Sequence, residues 1–194
     1  TRRSSDLGEP MAVVRGPYRV LISKQPMNSY EDLKTITLRM YPDQLAIDIW
    51  THLGAELAML AWTETYQGLQ SGLADAVTSP AALVTAMGFY EQAPYITQTN
   101  EFWQGLPFMM NAAAFDDLSE ENQKALLQAH ADAGEYSAKL IKENADAMRA
   151  AVEAKGVTIT DMPLDPLFDY MAEWYAAQDA AGRLPEGLLE AAEA

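Results

Sequence analysis

Two arginines stand where a strand should be apolar. In "GPYRVLISKQP" Arg19 interrupts a β-branched and aromatic run, and further on "TITLRMYPDQ" places Arg39 just before a proline. A guanidinium is charged at any physiological pH, and its planar fork of donors matches a carboxylate in bidentate geometry. Partly shielded from water on a strand end, it is costly unless an anion meets it. Strand alternation in "ITLRM" puts Ile36, Leu38 and Met40 on one side and Arg39 with Thr37 on the other. In "YRVLIS", Arg19 likewise opposes Tyr18, Val20 and Ile22. A structural ion pair with one of the 28 acidic residues and capture of a ligand carboxylate both satisfy this pattern.

Other chemistry is hard to find. His52 and His130 each sit inside a helical pattern without an i+4 metal-binding partner: Glu56 follows His52, but beyond the helix stop at Gly54. They read as surface or packing residues. There is no glycine-rich phosphate loop, no G-x-S-x-G elbow and no spaced acids of a calcium loop. The acidic pairs Asp116/Asp117 and Glu120/Glu121 stand at a helix start, where the macrodipole favours them. The chain lacks cysteine, which removes disulfides, thiolate metal sites and thiol nucleophiles. Nothing carries a reaction, so the reading is of a protein that is not an enzyme and needs no cofactor or metal.

The composition bounds the rest. A chain of 194 residues with 49% hydrophobic and 21% charged residues buries a core. A net charge of −15 argues against nucleic acid and anionic membranes, since phosphate binding needs clustered Lys and Arg. An anionic ligand would have to be captured by a few locally placed cations. No apolar run approaches the ~20 residues of a bilayer span. The polar start "TRRSSDLGEP" has no apolar signal core and reads as a loose segment.

The elements that would position the arginines follow from periodicity. Strands are expected at 18–24, 35–40, 55–62 and 73–80, with further extended pieces in "APYITQTN" and "GLPFMMNAAAF" and a short one in "VTITDMP". Helices are expected from Pro42–Asp43 to Gly54, from a Thr63 cap to Gly72, and through "PAALVTAMGFYEQ" with Pro80 in its first turn. Strands alternating with helices indicate an α/β fold. Residues 118–156, capped by Ser119 and stopped by Gly156, read as one continuous helix of ~50 Å. A helix of that length should lie across more than one structural unit. A terminal helical segment follows. Three parts are expected: a poorly ordered segment 1–16, an α/β ligand-binding region 17–117, and a long helix with a helical C-terminal region 118–194.

Taken together, several stretches resemble the solute-binding protein of tripartite ATP-independent periplasmic (TRAP) transporters, the DctP-like family. The family's K-x-P-…-D-L-K-…-R stretch is matched by Lys24–Arg39, its "GA" by Gly54–Ala55, its E-x-Y-x-A-L-Q-x-G-x-x-D helix and turn by Glu64–Asp75, and its last motif by Tyr90–Asn100. The resemblance implies a two-lobed, type II periplasmic-binding-protein-like α/β fold that closes on a small organic acid. It implies a periplasmic location and TRAP membrane subunits as partners. Arg39 holds the position of the family's carboxylate anchor, Arg19 that of an assisting arginine, and Trp62 that of a large pocket residue. Two positions depart from the family pattern. Ser79 precedes Pro80 where many members have asparagine, and Glu101 follows Asn100 where many have histidine. A hydroxyl donates one bond where an amide makes more, so the ligand's hydrogen-bonding pattern should differ. A carboxylate at 101 suits a ligand hydroxyl or ammonium, or simply faces solvent. The match starts partway into the family's first lobe. An incomplete first lobe is therefore expected, covered by a homo-oligomeric partner or a complementing chain. The competing reading is a truncated relative that binds no ligand and acts as an interaction scaffold.

Overall fold

The strand carrying Arg19 is longer than its apolar run. In the computed structural model, which describes residues 12–99 and 103–193, strand β1 spans Ala12–Ser23. Residues 12–16, expected in the loose segment, are therefore strand. A short 3-10 turn at Tyr30–Thr35 leads into β2 (Thr37–Met40), and Ser29 marks its start, with its N–H donating to Asp32 Oδ2 at 3.0 Å. Asp43 caps α1 (Gln44–His52), accepting from Ala46 N at 2.8 Å. Then come β3 (Glu56–Met59), a 3-10 turn at Trp62–Glu64 and α2 (Thr65–Ser71). Gly72 stops α2 in the left-handed conformation at φ +82°, where a side chain is strained. After β4 (Ala76–Pro80) the chain forms α3 (Ala82–Ala86), β5 (Tyr95–Thr97) and β6 (Trp103–Phe108). The rest is α4 (Ala112–Asp116), α5 (Glu120–Glu143), α6 (Ala145–Glu153), β7 (Thr158–Thr160), α7 (Asp165–Ala180) and α8 (Leu188–Glu193).

Four expectations are corrected by local physics. The helix anticipated through 80–92 breaks at Gly88, whose φ of +68° ends α3 and leaves a separate 3-10 turn at Phe89–Glu91; Pro80 itself closes β4. The turn before α2 is held by Glu64, whose carboxylate accepts from Ala61 N at 2.9 Å, and not by a Thr63 cap. The extended reading of residues 105–115 holds only to Phe108, because Asn111 caps α4 by accepting from Ala114 N at 3.1 Å. The continuous helix 118–156 starts at its Ser119 cap but is interrupted at Asn144, with φ −99° and ψ 3°. Its side-chain amide donates to the Leu140 carbonyl at 2.8 Å and so competes with the helical ladder.

The strands form one sheet in the order β3-β2-β4-β1-β5-β7, with β6 pairing the first half of β1. The pairs β2–β3, β2–β4 and β5–β7 are parallel, whereas β1 runs antiparallel to β4, β5 and β6. Register fixes the faces. Leu21 lies opposite both Thr78 and Thr97, and Ile22 opposite both Val77 and Ile96. One face, with Leu21, Leu38, Met40 and Ala76, is covered by Trp50 of α1, Leu53 just after it, and Leu167 and Met171 of α7. The other, with Val20, Ile22, Val77 and Ile96, is covered by Leu69 of α2, Val84 of α3 and Val152 of α6. The result is a three-layer α/β sandwich with an apolar core on each side of the sheet.

Candidate functional site

The parallel strands all end at one edge of the sheet, the edge at which β1 enters its pairing with β4 and β5. Ligands of open α/β sheets bind beyond such carboxyl ends. Arg39 is next to last in β2, Trp62 follows β3, Ser79 is next to last in β4, and Arg19 opposes Pro80 at the start of the paired part of β1. Glu101 lies outside the described residues.

Arg39 is 6% exposed, and among the described residues it takes part in no ion pair. Its Nε donates to the Leu60 carbonyl at 2.9 Å. Its guanidinium carbon lies 5.4 Å from the centre of the Trp62 ring and 5.8 Å from that of Tyr41, both within cation–π range. Burial pushes its pKa below the ordinary arginine value; the positive charge of Arg19 acts in the same direction and Tyr41 opposes it. Each of those causes is one that an incoming anion would relieve or use.

Arg19, 9% exposed, is turned differently. Because Val20 and Ile22 belong to the face of Val77, and Arg39 pairs with Val77, alternation sends Arg39 and Arg19 to opposite faces. The Arg19 Nη2 donates to the Thr78 carbonyl and, at 3.0 Å, to the Thr78 hydroxyl. Ser79 shares the face of Arg39, since it pairs with Val20; it is fully buried, and its hydroxyl donates to the Pro80 carbonyl at 3.4 Å. Trp62 packs edge-on against Phe89, with centroids 5.5 Å apart at 82°. The structure thus groups Arg39, Trp62 and Ser79 on one face and sets Arg19 beside them through the sheet.

The motif residues around them serve as scaffold. Asp75 accepts from Lys24 Nζ at 3.4 Å and from Thr37 N at 3.3 Å, zipping β1, β2 and β4 together at the end remote from Arg39. Glu64 fixes the turn that presents Trp62. The Tyr66 hydroxyl donates to Glu91 at 2.5 Å and accepts from Gln92 at 3.2 Å, tying α2 to the turn that holds Phe89. The hydrogen bond to Glu91 raises the Tyr66 pKa above its usual value, and Gln92 pulls the other way. Three contributors escaped the sequence reading. Tyr41 lies just past the end of β2 and packs against the Leu38 and Met40 side while reaching Arg39, so alternation does not place it. Thr78 and the Leu60 carbonyl carry no local signal, since both act across strands. His52 stacks between Tyr170 and Trp174, at 4.9 and 5.7 Å, and so is a packing residue as expected.

Residues 11–180 match the family model described as DctP, bacterial extracellular solute-binding protein, family 7. A solute-binding protein of Roseobacter denitrificans is 33% identical over 166 residues, which are 86% of this chain and 49% of that protein. A crystal structure of a TRAP periplasmic solute-binding protein from Roseobacter denitrificans OCh 114 with bound L-galactonate is similar with a TM-score of 0.72 at 31% identity, covering 80% of this chain and 52% of that one. Another from Roseobacter denitrificans, with bound β-D-glucuronate, has a TM-score of 0.80 at 26% identity, covering 89% and 58%. The chain spans about half the length of these relatives. On the matched motifs, the shared fold and the extent of the alignment, the chain belongs to the DctP family of bacterial extracellular solute-binding proteins.

Proposed function

We propose that this chain is the ligand-holding part of a periplasmic TRAP solute-binding protein, which takes a small organic acid and delivers it to TRAP membrane subunits. The observation that carries the reading is Arg39: a buried guanidinium with one backbone acceptor, two aromatic neighbours and no acid among the described residues. A carboxylate arriving there restores the charge balance lost on burial and uses the donors that Leu60 leaves over. Ser79 and Trp62 lie on the same face as Arg39, the hydroxyl as a polar contact and the indole as a stacking wall. Arg19 supports the same positive field from the other face, and Glu101 remains part of the expected set. The ligands named for the two Roseobacter structures, L-galactonate and β-D-glucuronate, are both carboxylates and fit this class.

On this reading residues 17–117 hold the ligand and 118–194 pack across the lobes. The remainder of the first lobe, supplied by a further segment, a second copy or a complementing chain, closes over the acid, and the cycle involves no bond chemistry. Calorimetric titration with D-glucuronate and with D-glucose tests it. Saturable heat is expected for the acid alone. Equal responses to the two sugars, or none to the acid, would remove the carboxylate assignment.

A further inference from the structure

One apolar hollow of the described residues lies away from Arg39. It is a cavity of about 490 Å³ between α1 and α7, on the opposite face of the sheet. Its floor is Met40 and Thr78, one wall is Ala46 and Ile49 of α1, and the other is Phe168 and Met171 of α7. Such a volume falls within the range of small-molecule sites. Its mouth is ringed by exposed apolar groups, with Phe168 at 51% and Leu45 at 45% exposure, in a chain whose surface is otherwise strongly acidic.

Tyr41, Asp43, Thr99 and Tyr175 also line the hollow, Tyr41 bordering Arg39 as well, and the polar group of the floor is Thr78. Thr78 is 4% exposed, and its hydroxyl already accepts a bond from Arg19 Nη2. A hydroxyl that accepts from a cation keeps its own proton to give, and the positive charge behind it makes it a better donor. The cavity therefore offers an apolar body space and, at Thr78, an O–H backed by a cation, which asks for an acceptor. A full negative charge is poorly suited, because Asp43, the acid lining the cavity, carries its carboxylate at the α1 N-terminus, engaged with Ala46 N. A carbonyl oxygen matches: partial negative charge, no proton to donate, and little desolvation cost.

We propose that the cavity between α1 and α7 is a second small-molecule site, for an apolar compound bearing a carbonyl oxygen, distinct from the Arg39 anchor although Tyr41 borders both. Ligand-observed NMR titration with 4-phenylbutan-2-one tests it. Saturable binding to the unmodified chain is expected. Ala46→Phe, which fills the hollow from α1, should lower the affinity at least tenfold, and Thr78→Val, which removes the donor, by about tenfold. Arg39→Ala, which touches the lining only through Tyr41, should change it less than about threefold, so that loss of carboxylate binding and loss of this site are read separately. Thermal melting of each variant reports folding, and Ile49→Phe replaces Ala46→Phe if the latter does not fold. Absence of saturable binding to the unmodified chain, or equal affinity in the filled variant, overturns the proposal. So does concentration-dependent dimerisation that buries Leu45 and Phe168 and excludes the probe.

Discussion

The Arg39 guanidinium carbon sits 5.4 Å from the centre of the Trp62 ring while its Nε is tied to the carbonyl of Leu60, two residues before that tryptophan. The cation and its aromatic wall are therefore held by one short stretch of chain after β3. The Nε bond fixes the plane of the guanidinium, and the donors on its other nitrogens are left for a planar acid.

Arg39→Ala should weaken carboxylate binding by about 2–5 kcal/mol, the usual cost of removing one partner from a shielded charge pair. Arg39→Lys should recover less than half of that, because the ammonium keeps the charge but loses both the fork and the bond to Leu60. Calorimetry on the three proteins checks the order; full rescue by lysine would show that charge alone is recognised.

Trp62→Ala removes the ring beside Arg39 and the edge-on contact with Phe89. Such contacts are worth about 0.5–2 and 0.5–1.5 kcal/mol. Urea unfolding should show a loss of about 1–3 kcal/mol, with Trp62→Phe falling between. An unchanged midpoint for the alanine variant would mean that the ring is idle in the free protein.

Gly88→Ala should destabilise the chain by about 1–2 kcal/mol, since a side chain at φ +68° meets the left-handed penalty. Its effect on ligand affinity should be larger than that of Gly182→Ala, although Gly182 shares the left-handed conformation at φ +66°. The reason is position: Gly88 precedes the turn that carries Phe89, the packing partner of Trp62. Paired melting and binding measurements separate the two.

Two phenols should titrate late. Hydrogen bonds to Glu31 and Glu91 raise the pKa of Tyr30 and Tyr66 respectively above about 10, the ordinary tyrosine value. A group whose folded pKa lies above its unfolded one contributes stability that is fully present below the unfolded value. That stability is lost as pH rises through the folded value. Spectrophotometric titration at alkaline pH should therefore show a late phase, from which Tyr30→Phe and Tyr66→Phe each remove one phenol. A late phase unchanged in both variants would refute the assignment.

Much of this was written in the sequence, for identifiable reasons. β2, α1 and β4 lie within the expected segments because alternation, an Asp43 cap and a terminal proline act locally. The faces of Arg39 and Arg19 could be read relative to their own strands. That the two strands present them to opposite faces of the sheet could not, since it depends on register: Arg19 pairs with Pro80 and Arg39 with Val77, positions of opposite parity along β4. The break at Asn144 was hidden inside an unbroken helical pattern, because one side-chain amide capturing the Leu140 carbonyl leaves the apolar spacing intact. Glu64, Tyr66 and Asp75 were visible as motif residues, but their scaffolding work appears only once α2 meets the Phe89 turn and β4 comes to lie between β1 and β2.

The central strand is also the earliest described one. Arg19 meets Thr78 across 59 positions of chain, and β1 pairs beyond that with β5 and β6. Closing such loops costs entropy before any contact repays it, and pairings of this range slow folding relative to local ones. In a chain that emerges N-terminus first, β1 must wait with its edges open until Phe108 has followed, and over that interval it is the segment most in need of a chaperone.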